Sequence, residues 1–148
     1  MLSAALSYSA TVVGSNFAEE KVMSKFETNA ITWFEIPVND IKRARGFYEN
    51  LLSSQLIPYP GGAPCFIFPT KDSGVAGCIV QRNDFKPAAD GTIIFLNADG
   101  QLNAAVDRAE ASGSRVLVPR TEIPGGFGFF ACIMDSEGNH VGLHSRAD

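Results

Sequence analysis

The stretch WFEIPVNDIKRARGFYENLL, residues 33–52, changes its periodicity midway and decides how the fold begins. Its first part belongs to ITWFEIPV, a β-rich run that starts at Ile31. Past Asn39-Asp40 the apolar residues fall at 41, 44, 47, 48, 51 and 52, the spacing of a helix with one buried face, capped at its start by Asn39 or Asp40. Downstream, CFIF (65–68) and VAGCIVQ (75–81) predict short strands between the turn signals PGGAP and KDSG, with a further strand near Gln55–Tyr59. The first half therefore reads β-α-β-β.

The second half repeats this order. TIIFLNAD (92–99) predicts a strand ending in an aspartate, and QLNAAVDRAEASG a helix with apolar positions 102, 105, 106 and 109, closed by Gly113. SRVLVP, FGFFACIMD and NHVGLHS supply three more strands, the last two joined by the tight turn Asp135-Ser136-Glu137-Gly138-Asn139. With Asp40 and Asp99 as paired caps, 59 residues apart, an internal duplication of a βαβββ unit explains the whole pattern. Two such curved sheets side by side would form a cleft lined by the same strands of both halves.

At 148 residues and 45% hydrophobic content, the chain can bury one sizeable core. A formal charge of -4, with neither sign gathered into a run, argues against a nucleic-acid partner. Cys65, Cys78 and Cys132 are odd in number and widely spaced, which predicts reduced core thiols in a cytoplasmic protein rather than a disulfide framework or zinc site. No apolar run approaches the roughly 20 residues needed to cross a bilayer, so no membrane partner is expected. Residues 1–28 are expected to be a disordered N-terminal extension, with no Lys or Arg before Lys21 to form the basic flank of a secretory signal. Residues 29–148 are expected to form a single domain, with one module over about 29–83 and a second over about 90–146.

The stretch WFEIPVNDIKRARGFYENLL, its second-half match TIIFLNADGQLNAAVDRAEASG and the closing FFACIMDSEGNHVGLHS resemble the vicinal-oxygen-chelate superfamily of glyoxalases, bleomycin resistance proteins and dioxygenases, from about Ile31 to about Ser145. The resemblance implies an α+β fold of two tandem βαβββ modules, with paired curved mixed sheets around a cleft, and a homodimer. It also implies a divalent metal held by four side chains. Here those positions fall on Trp33, Thr92, Gly142 and a residue near Ile79 or Val80, none of which can replace two imidazoles and two carboxylates. No cofactor is therefore expected, although a site joining one histidine to Glu35 stays open. His140 and His144 cannot share one metal on a strand, where their Cα atoms stand roughly 13 Å apart.

By strand alternation, Trp33 and Glu35 share one face, as do His140, Gly142 and His144. If the family match orients these faces inward, Trp33 offers a stacking wall or packs in the core. Glu35 interrupts an apolar run and must be paired, protonated or beside a wet cavity. Gly142 would leave room between the histidines, of which His144 is the better acid–base candidate; either could instead be exposed or tied to backbone groups. Thr92 and Ile94 are expected to line the cleft from the second half. PRTEIPGGFGFF (119–130) would either supply a flap with Phe127 and Phe129 as apolar contacts or be a simple hairpin connection. These cleft residues include no Lys or Arg, which argues weakly against a strongly anionic ligand.

The leading expectation is a metal-free protein that binds a small molecule in the cleft. One alternative is a lyase, isomerase or dioxygenase of the same superfamily using Glu35 or His144 as acid or base. The other is a regulatory or interaction module with a closed cleft. Fold alone does not choose between them.

Overall fold

The computed structural model describes residue 29, residues 31–72 and residues 74–147; the expected extension over residues 1–28 lies outside them. The order is β1 (Trp33–Pro37), α1 (Ile41–Leu52), β2 (Ile57–Pro58), β3 (Cys65–Ile67), β4 (Ala76–Val80), then β5 (Ile94–Asn97), α2 (Leu102–Ala111), β6 (Val116–Glu122), β7 (Phe129–Met134) and β8 (His140–Ser145). These strands form two four-stranded mixed sheets with orders β1-β4-β3-β2 and β5-β8-β7-β6. In each sheet the first and last strands pair in parallel and the remaining pairs are antiparallel. The architecture is α+β, one βαβββ unit following another.

Helix α1 begins where the sequence predicts. The Asp40 carboxylate accepts from the backbone amides of Lys42 and Arg43, both at 3.0 Å, using two of the donors a helix start leaves unpaired. Ala44, Phe47, Tyr48 and Leu51 form its buried stripe. Helix α2 has no such cap, because Gln101 occupies the position and its side chain accepts from the Arg108 guanidinium at 2.6 Å rather than from a backbone amide of the first turn. Asp99 instead accepts from the Arg146 amide at 2.6 Å and ties down the end of β8.

The two halves consequently repeat with a different offset from the one the aspartates suggest. The amide of Val38 donates to the Val80 carbonyl and that of Ala98 to the His144 carbonyl, so β1 and β5 match at an offset of sixty residues and β4 and β8 at sixty-four. Trp33 therefore corresponds to Ile93 rather than to Thr92, and Gly142 corresponds to Cys78.

One hydrophobic cluster joins both halves, from Ile36, Val38, Tyr48 and Ile79 to Leu96, Leu102, Ile133 and Leu143. The turn 135–139 of the second half is fastened onto the first. Asp135 accepts from the Tyr48 hydroxyl at 2.6 Å and from three donors of its own turn. Glu137 accepts from the amides of Asn39 and Asp40, both at 3.0 Å, and receives a two-pronged contact from Arg43. Burial pushes the Glu137 carboxyl up, but the Arg43 guanidinium and the two amides outweigh it and hold it below its ordinary range. Burial, followed by the charge of Asp135, pushes the Tyr48 phenol well above its ordinary value.

Candidate functional site

Alternation along β1 divides its side chains between two faces. Ile36 is buried and Phe34 stacks on Phe68 toward α1, which leaves Trp33, Glu35 and Pro37 on the open face. In β8, Val141, Leu143 and Ser145 are buried in the core, so His140, Gly142 and His144 take the open face. In β5, Leu96 is buried and Ile94 packs against the same core.

Between the halves lies a cavity of about 350 Å³. Its apolar walls are Ile36, Pro37, Ile94, Val141 and Phe85, and its polar lining includes Glu35, Lys86, Asp90, Thr92, Asn139 and His140. Four residues singled out in the sequence, Glu35, Thr92, Ile94 and His140, thus meet at one place. Ile94 reaches it from the seam between the halves, because its alternation phase is that of Leu96. Phe95 has the open face instead.

The other candidates are placed elsewhere. Gly142 faces as expected, but the room it leaves is taken: a Cβ built there would stand 2.3 Å from the Phe95 ring, which packs edge-on toward Phe130 with centroids 6.3 Å apart. Trp33 is 45% exposed and does not line the cavity. Phe129 is in phase with Ala131 and Ile133 and packs against the core, with the Arg120 guanidinium 3.6 Å above its ring; it is not a cleft contact. The His144 Nε2 lies 2.9 Å from the Phe127 carbonyl, so the ring is tied to the backbone of the Gly-rich loop. Gly128 must remain glycine for that loop to close, since its φ is +90° and a Cβ would stand 2.1 Å from the Ser145 carbonyl.

Glu35 is paired. Its Oε2 lies 3.0 Å from Nη1 of Arg82, a residue just past the last strand expected in the first half and given no role there. The same guanidinium lies over the Phe85 ring at 5.0 Å, and Arg82 and Phe85 also form an isolated backbone bridge. Asn139 secures the strap formed by residues 82–91. Its Oδ1 accepts from the Ala88 amide at 3.1 Å, while its Nδ2 donates to the Pro37 carbonyl at 2.9 Å and to Asp135. Arg82, Phe85, Lys86 and Asp90 were missed because their segment has no strand or helix period, and Asn139 because it was read only as part of the turn 135–139. The run RNDFK placed directly between two repeats was the available signal.

The ring of His140 lines the cavity, but its Nε2 is shielded from solvent and has no hydrogen-bond partner, as is also true of the Arg82 Nε. Cys65, Cys78 and Cys132 are free thiols; burial and then the adjacent Cys65 push Cys78 up to about 12, far from a nucleophilic thiolate.

A bound divalent metal does not fit these residues. Trp33, Ile93 or Thr92, and Gly142 offer no imidazole or carboxylate. Among the described residues, no group of three or more His, Cys, Asp or Glu side chains could hold one ion. Among the same residues, no helix is long and apolar enough to cross a membrane.

Residues 30–143 match the model of the Glyoxalase/Bleomycin resistance protein/Dioxygenase superfamily. Among solved structures, a glyoxalase/bleomycin resistance protein from Albidiferax ferrireducens T118 superposes with a TM-score of 0.64 at 19% identity, covering 79% of this chain and 99% of that one. A genomically encoded fosfomycin resistance protein, FosX, from Listeria monocytogenes gives 0.58 at 16% identity, with coverages of 80% and 93%. A hypothetical protein from S. aureus gives 0.59 at 15%, with coverages of 80% and 95%. At these identities the likeness is one of fold. No curated protein matches the chain.

Proposed function

The chain belongs to the Glyoxalase/Bleomycin resistance protein/Dioxygenase superfamily, and from that membership we propose that it is a metal-free binding protein whose small-molecule ligand enters the cavity between its two halves. The observation that carries this reading is the cavity of about 350 Å³ with mixed apolar and polar walls. That volume lies within the usual range for small-molecule sites, ~300–1,000 Å³. An open cavity favours ligand binding over a regulatory module with a closed cleft.

Two further observations favour binding over acid–base catalysis. Glu35 is engaged by Arg82, and His144 by the Phe127 carbonyl, so both candidate proton-transfer groups already have partners. The donor set around the cavity supports a role without a metal ion. We read the protein as a cytoplasmic homodimer; its free thiols suit a reducing compartment, and the family resemblance supplies the dimer.

The test is a small-molecule library screened by ligand-observed NMR, with hits mapped on the labelled protein. Saturable binding that moves the resonances of Thr92, Ile94 and His140 is the expected result. Hits that map only to other surfaces, or turnover of a bound compound, would overturn the reading.

A further inference from the structure

We infer that Cys65 and Cys78 form a site for one soft monovalent metal ion, Cu(I), held between their sulfurs on the open face of the first sheet. Antiparallel pairing sets Cys65 opposite Val80 and Cys78 opposite Ile67, so the two cysteines are diagonal neighbours on adjacent strands. Both point away from the core, because Phe66 and Ile79, one place along in each strand, pack into it. Their thiols interact directly, a contact that adds to burial in raising Cys78. Neither cysteine lines the cavity between the halves, and the inference leaves that cavity without a metal.

Two thiols so placed could close a disulfide or share an ion, and their spacing decides. Diagonal neighbours have Cα atoms about 7–8 Å apart, whereas an unstrained disulfide wants about 5.5–6 Å and an S–S bond of about 2.05 Å. An ion between two sulfurs spans roughly twice a metal–sulfur bond of ~2.3 Å, and so bridges the pair without moving either strand. Thiolate softness favours Cu(I), while the lack of a third donor disfavours four-coordinate zinc.

A thiol that stays protonated at neutral pH still yields its proton to a coordinated ion. Binding Cu(I) releases two protons and leaves one net negative charge on the S–Cu–S unit. The protein has a cation beside it. Glu35 is the parallel-strand partner of Cys78, and the Arg82 guanidinium that pairs with Glu35 also acts on the Cys78 thiol. The Nε of Arg82 is shielded from water and has no hydrogen-bond partner, with the Asp84 carboxylate 3.7 Å away. The guanidinium thus keeps a donor for the charge that the bound ion would bring.

The test titrates Cu(I) without oxygen into the purified, reduced protein, in competition with the chelator bicinchoninate. One equivalent is expected to bind, with two sulfur neighbours by X-ray absorption. Cys65→Ser and Cys78→Ser are each expected to weaken binding about a hundredfold by removing one of the two soft donors. Cys132→Ser, in the other sheet, is expected to leave it unchanged. Cys65 is only partly buried, so its variant stays informative even where loss of the buried Cys78 prevents folding. No binding, binding indifferent to Cys65→Ser, or a shell with fewer than two sulfurs would overturn the inference.

Discussion

The hydroxyl of Tyr48 donates to the Asp135 carboxylate at 2.6 Å, a buried bond between the first helix and the last turn of the fold. Tyr48→Phe removes this donor from a carboxylate shielded from water and is expected to cost about 1–3 kcal/mol in urea unfolding. Because the folded phenol titrates above its ordinary value, the native state's advantage from the neutral form is intact below about pH 10 and fades as pH rises further. The Phe variant should lose less stability than the parent protein between pH 10 and pH 12, and an identical alkaline slope in both would contradict this.

Glu137 titrates in the opposite sense. Its folded carboxyl is held low, so its contribution is complete above the ordinary glutamate value, about 4.3, and fades as pH falls through the folded value. Glu137→Gln should lower stability at pH 7 and flatten the acid limb of a stability-versus-pH curve. A variant with an unchanged acid limb would show that the contact with Arg43 contributes nothing there.

Gly142→Ala drives a methyl group into the Phe95 ring. Overpacking of this kind costs about 1–3 kcal/mol, and truncating the ring in Phe95→Ala removes the clash. A double-mutant cycle should give a clearly favourable coupling between the two changes. Simple additivity would mean that Phe95 does not hold the space above Gly142.

Glu35→Gln breaks a half-exposed ion pair, so its stability change should stay within about 1 kcal/mol. Its visible effect should fall on the strap, with faster amide hydrogen exchange at residues 83–91 that salt near 1 M reproduces in the parent protein, since the Debye length there is only about 3 Å. Exchange rates indifferent to both changes would show that Arg82 does not pin the strap.

Protein purified without added metal or a His tag should hold less than stoichiometric metal by elemental analysis. The same is expected after incubation with Ni, Zn, Mn and Fe(II). One equivalent of any of them would bring a metal-dependent enzyme to the front, with Glu35 and His140 as the first ligands to examine.

The helix stripe Ala44, Phe47, Tyr48 and Leu51 was legible in the sequence because its 3.6-residue period has no rival there. The turn DSEGN was equally plain. The register of the second half was not, since Asp99 has the residue type of a helix cap but spends its carboxylate on the Arg146 amide, and matching it to Asp40 set Trp33 against Thr92 instead of Ile93. Phe129 looked like a loop aromatic because glycines precede it; its pairing with Ser145 puts it in phase with the core. Arg82 and Lys86 were hidden for a different reason. They act through a strap that folds back by a single bridge, and such a reversal leaves no periodic trace in composition.

The fastening of turn 135–139 onto the start of α1 also orders events during synthesis. Asn39, Asp40, Arg43 and Tyr48 meet partners that lie nearly a hundred residues further along the chain. A nascent polypeptide emerging at ~5–20 residues per second must wait several seconds after making its first helix before Asp135 and Glu137 are available. Until then that helix has the cap supplied by Asp40 but no anchor. The first half consequently leaves the ribosome as an unfinished piece, and the later-made turn 135–139 locks it in place.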